Sequence, residues 1–159
     1  MKLTKLGEKA VKLSVQDRKL VGAKVVKGED ITKYTQGAVC YDAAAFVRFL
    51  LGNTITADDV VKVNGQSWES KLALKSGSAW NGTAGIPTGY ALGFFRKPDK
   101  KFFHAAVSVG GTTIRAVNGG KLGAGWSSPV DLKKVLGAPD SEGWFAYDGT
   151  QIKVFMSKV

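Results

Sequence analysis

Cysteine and histidine are the rarest residues in this chain of 159, with one of each, Cys40 and His104. A single cysteine excludes an internal disulfide, so the fold does not depend on an oxidising compartment. One cysteine and one histidine also cannot build a metal site from His and Cys ligands, and neither a metal nor a cofactor is expected. Proline is scarce beside glycine, 4 against 20, which points to tight turns in a strand-rich fold. Long apolar runs are missing. The opening "MKLTKLGEKAVKLSV" has no signal-peptide core and nothing later could span a membrane. The chain is therefore expected to be cytoplasmic as synthesised, with export by a route lacking a cleaved signal peptide as the alternative. Acidic residues are outnumbered, 13 against 23 Lys and Arg, for a net charge of +10. That charge favours an acidic polymer or an acidic protein as partner. The lysines are scattered, with the densest run at Lys97 to Lys101, and no basic stripe alternates with aromatics, so nucleic acid is not an expected partner.

What is present is an ordinary globular composition, 44% hydrophobic and 23% charged, of a size for one domain over 1–159. Residues 1–35 are expected to form an N-terminal extension or hairpin, with Lys12 to Val26 as extended segments. Residues 36–159 are expected to form the core that carries the chemistry. "CYDAAAFVRFLLG" predicts a helix from Val39 to Leu51, with Val39, Ala43, Phe46, Val47 and Leu50 on one side and Gly52–Asn53 as the stop. Thr56 followed by Asp59 predicts a capped helix, and Trp68 to Leu74 a third. "IPTGYALGFFR", "KFFHAAVSV" and "TIRAVNG" predict an antiparallel meander. Ser128–Pro129–Val130–Asp131 predicts a helix start with Ser128 as N-cap, closed by Gly137. Asp148–Gly149 predicts a type I′ hairpin turn. Helices followed by strands make the class α+β, with N-terminal helices on an antiparallel sheet of about five or six strands.

Cysteine is nucleophilic as thiolate, and a helix N-terminus and an imidazole both favour that form. Cys40 stands at a predicted helix start, and His104, the only histidine, at a predicted strand start. Asn118 ends the next strand, where it could orient the imidazole at the open end of the hairpin. Gln36 could donate to an oxyanion beside the Cys40 N–H. Trp80, Trp126 and Trp144 are candidates to line a substrate cleft, against core packing as the plainer alternative. Asp42 reads as a solvated helix residue.

This order of Cys at a helix start, His at a strand start and a polar residue on the next strand resembles the papain-like fold. Its compact NlpC-type branch of cell-wall amidases and peptidases is the nearer likeness, through "CYDAAAFVRFLLG", "IPTGYALGFF" and "HAAVSVGGTTIRAVNG". Val39, Tyr41 and Tyr90 depart from that branch's pattern. The resemblance implies a thiol hydrolase with Cys40 as nucleophile, His104 as base and Asn118 as orienting residue. The substrate would be a peptide or protein amide, with cell-wall peptides foremost. A secreted effector that deamidates, cross-links or cleaves a host protein is the alternative within that fold. A basic binding module without catalysis is the alternative outside it.

Overall fold

The computed structural model describes residues 1–37, 39–52 and 54–158. The chain enters through two helices, α1 (Lys5–Val11) and α2 (Val15–Val26). Each is started by a hydroxyl: Thr4 accepts from the Gly7 N–H and Ser14 from the Asp17 N–H. Such caps satisfy N–H groups that the first turn leaves unpaired. This corrects the extended reading of Lys12 to Val26: Val21, Gly22 and Val25 recur at helical spacing and face inward, while Leu13, Val15 and Leu20 stay exposed. Nor are residues 1–35 an appendage. Val25, Ile31 and Tyr34 belong to the same apolar cluster as the central helix α3 (Cys40–Leu50).

Helix α3 is buried along its length, because its alanines and Phe46, Val47, Phe49 and Leu50 leave almost no polar face. It ends at Gly52 as expected, while Asn53 lies outside the described residues. Next come α4 (Ala57–Lys62), with the reciprocal Thr56–Asp59 capping box, and α5 (Trp68–Lys71). Among the described residues no helix is long and apolar enough to cross a membrane.

Seven strands follow among the described residues: β1 (Ser78–Ala79), β2 (Ala91–Arg96), β3 (Lys101–Gly110), β4 (Thr113–Arg115), β5 (Val130–Asp131), β6 (Phe145–Tyr147) and β7 (Thr150–Ser157). They form one antiparallel sheet in the order β1-β7-β2-β3-β4-β5, with β6 also on β7. The class is α+β, with one strand more than the higher expectation. The meander is β2–β3–β4. The hairpin turn has positive φ at both Asp148 and Gly149, 47° and 73°, as a type I′ turn requires. The last helix, α6 (Leu132–Leu136), closes at Gly137 as expected, but its cap is Asp131, whose carboxylate accepts from the Lys133 N–H. Ser128 is not the cap, because Val130–Asp131 is drawn into strand pairing with β4 first.

The sheet separates two apolar clusters. Side chains alternate along a strand, so Ala91, Phe95, Phe102, Ala105 and Val107 face α3, while Leu92, Phe94 and Ala106 face the opposite layer of Trp80, Leu122, Leu132, Leu136 and Phe145. A register shift at Phe94/Phe95 pairs Phe94 with His104 and Phe95 with Phe102. The shift lies beyond His104, which keeps the regular register of Ala105, Ala106 and Val107 and so falls on the same side as Ala106.

Candidate functional site

Cys40 opens α3, where Val39 supplies no side-chain cap. The sulfur is half-buried against the helix-side cluster. Burial pushes its thiol above the ordinary value. Backbone hydrogen bonds from Ala105, Tyr41 and Cys40 itself pull the other way, and the Asp42 charge adds to the upward push. Desolvation therefore outweighs the helix start, and the resting form at neutral pH is the thiol. Asp42 is itself buried rather than solvated, accepting from the Gly65 N–H at 2.9 Å and the Trp68 indole N–H at 3.0 Å.

His104 lies on the other side of the sheet. It pairs with Phe94, its ring sits 5.2 Å from the Phe94 ring, and its neighbour Ala105 is the residue that meets Cys40. His104 Nε2 is 2.9 Å from the Leu122 carbonyl oxygen. A carbonyl only accepts, so Nε2 carries the proton and Nδ1 is a bare lone pair. Burial draws the imidazole down to about 4, with the Leu122 bond opposing. At neutral pH the ring is uncharged. The expected Cys40–His104 pair is thus not formed: the sheet lies between the two, and each group is shifted against the thiolate–imidazolium state.

The other expected site residues divide in the same way. Asn118 does come to the same cavity as His104, but it does not orient the ring, a task that falls to the Leu122 carbonyl. Gln36 gives one of its two side-chain N–H donors to the Leu3 carbonyl at 3.0 Å, which ties it to the N-terminal segment. Trp80 and Trp126 are core residues, 3% and 2% exposed, stacked on Phe145 and donating to the Val25 carbonyl respectively. Neither lines a cleft.

Two features gather at one end of the sheet instead. On the helix side, the half-buried Trp144 ring carries Lys153 Nζ at 4.5 Å and Lys97 Nζ at 5.2 Å. The Asp140 carboxylate holds this tryptophan in place by accepting from the N–H groups of Glu142 and Trp144, and Lys97 is tied to Gln151 at 3.1 Å. On the other side, Arg96 lies over Phe103 at 4.9 Å at the mouth of a cavity of about 310 Å3. His104, Asn118, Gly119, Tyr147, Asp148 and Thr150 complete its wall. Gly119 is required there, since a Cβ would stand 2.2 Å from His104 Cε1. The basic run at Lys97 to Lys101 was the sequence signal for this end. Trp144, a cleft candidate in the sequence, is half-buried here, and its pairing with Lys97 and Lys153 is not legible there because Trp144 and Lys153 come to this end only through the β6–β7 hairpin. A wider depression of about 590 Å3 over Gln66, Glu69 and Lys75 has no buried polar atom left unpaired in its wall. No protein-family model matches the chain, and no characterised protein matches it in sequence.

Proposed function

We propose that this chain is a basic binding module that holds an anionic polymer at the β2–β7 end of its sheet. The observation that carries the reading is the Lys97–Trp144–Lys153 cluster, two ammonium groups on one half-buried indole. Lysines poised on an aromatic face meet a partner's charge with their ammonium groups and its apolar ring or chain atoms with the indole. Lys100 and Lys101 extend the positive field along the β2–β3 turn, and Asp99, Asp140 and Glu142 are among the acids beside it. The net charge of +10 steers a polyanion toward such a surface. A hydrolase reading would need an imidazole on the α3 side of the sheet, and His104 faces away.

Trp68, Trp80 and Trp126 are buried, so Trp144 is the tryptophan whose emission responds to a surface ligand. Titration with polyglutamate at low salt should change that emission saturably, high salt should abolish the change, and Trp144→Phe should remove it. Emission that stays constant at low salt would overturn the reading.

A further inference from the structure

We infer that the anionic polymer is a single-stranded nucleic acid, its phosphates met by lysines and its bases stacked on the aromatic residues at the β2–β7 end of the sheet. The inference rests on the binding-module reading and names the class of polymer it takes.

A polycarboxylate would use the charges of this end and leave its rings idle. The helix-side face here carries Phe95, Trp144 and Phe155, each half-buried. They form one cluster, with the Phe95 ring centroid 6.4 Å from that of Trp144 and 5.9 Å from that of Phe155. Charge is set among the rings. Lys153 Nζ lies 4.5 Å and Lys97 Nζ 5.2 Å from the Trp144 centroid. On the other face, Arg96 lies over Phe103, and Tyr147 stacks beside that ring with centroids 6.3 Å apart. Arg96 and Lys97 are consecutive, so the two groups stand back to back at the end of β2. Cation alternating with ring matches phosphate alternating with base, and a charged surface with stacking platforms is how single strands are held. The sequence hides this alternation, because Lys97, Trp144 and Lys153 come together only in the fold.

The charges permit it. Lys97, Lys100, Lys101 and Lys153 make no ion pair among the described residues, so a phosphate meets them without displacing a carboxylate. Of the acids at this end, Asp99 is paired with Arg96 and Asp148 with Lys121. Asp140 accepts from the N–H groups of Glu142 and Trp144 and from the Gln151 amide, which leaves Glu142 to oppose a strand. A base laid on Trp144 displaces ammonium groups from the ring, and base–aromatic stacking outweighs an exposed cation–π contact. The lysines, on flexible four-carbon stems, then turn to the flanking phosphates. A duplex keeps its bases stacked on one another and cannot use the rings, so the strand is single.

The probes are an oligothymidylate of about ten nucleotides, an abasic oligomer of the same length and a hyaluronate oligosaccharide, each added to the full chain at the same low salt. The oligothymidylate should quench Trp144 emission saturably. It should bind at least about tenfold tighter than the abasic oligomer, which carries the same phosphates without bases. Trp144→Leu should lose about tenfold in oligothymidylate affinity, read from the anisotropy of a labelled strand, and Trp144→Phe, which keeps a ring, should lose less. The comparison of the two oligomers uses the native chain, so it holds whatever the variants do to the fold. Equal affinity for the two oligomers, with polyglutamate still bound, overturns the inference and leaves the binding reading standing. Tighter binding of the hyaluronate oligosaccharide than of the oligothymidylate makes the polymer a polysaccharide and overturns the inference as well. Failure of every polyanion to bind, polyglutamate included, strikes the binding reading and the inference together.

Discussion

At the scale of single residues, burial governs both groups that the sequence marks as reactive. Cys40 sits at a helix start and is nevertheless pushed toward the thiol. Iodoacetamide should therefore label it no faster than a free model thiol at pH 6 to 7, and an alkylation rate above that of the free thiol would restore the case for a nucleophile. His104 gives a pH dependence of defined sign. Its folded value of about 4 lies below the unfolded value of about 6.5, so the unfolded chain takes up the proton first as pH falls. The contribution is complete above about pH 6.5 and is lost toward pH 4, roughly 3 kcal/mol in all. Chemical denaturation of native and His104→Gln chains across that window checks it, since the variant should lack this component of the slope. Beside Cys40, the Tyr41 hydroxyl is buried without a partner. Tyr41→Phe should raise stability by about 1 kcal/mol, read from the denaturation midpoint, because it removes a desolvated group and keeps the ring.

At the scale of elements, α2 is held by remote partners. Gly22 lets it approach α3 closely, since a Cβ there would meet the Leu51 side chain at 2.9 Å. Arg115 on β4 closes its C-terminus, donating to the carbonyls of Val26 at 3.0 Å and Lys27 at 3.2 Å, and to that of Trp126 at 3.0 Å. A cation on the last carbonyls satisfies them and opposes the helix dipole. Arg115→Met should cost about 2 kcal/mol and speed amide exchange first in the last turn of α2. The same contacts explain what the sequence does and does not disclose. Helices α3 and α4 are legible because their signals are local: an alanine-rich apolar stretch, and a Thr56–Asp59 box that forms as written. The Asp148–Gly149 turn is legible for the same reason. Helix α2 is not, because the exposed Val15 and Leu20 blur its apolar pattern and its stabilising groups lie on α3 and β4. The site is legible only in part. The approach of His104 to Asn118 follows from the meander, but His104 shares its face with Ala106, and the Ala105–Ala106 pair, small and apolar on both faces, does not announce which of them meets α3. A shift of one residue moves a side chain to the opposite side of the sheet.

At the scale of the whole molecule, the sheet divides a sulfur-bearing side from a histidine-bearing side, and the cationic aromatic cluster crowns one end. The chain's excess of positive charge acts over the surface as a field, while Lys97, Trp144 and Lys153 give it a place of contact. Binding should accordingly weaken steeply with added salt. The most direct measurement is the affinity of three chains for polyglutamate at low salt: native, Cys40→Ala, and the double variant Lys97→Gln/Lys153→Gln. Equal affinity for native and Cys40→Ala, with at least a tenfold loss in the double variant, is the predicted result. Unchanged affinity in the double variant, or a comparable loss in Cys40→Ala with its fold intact, would contradict it.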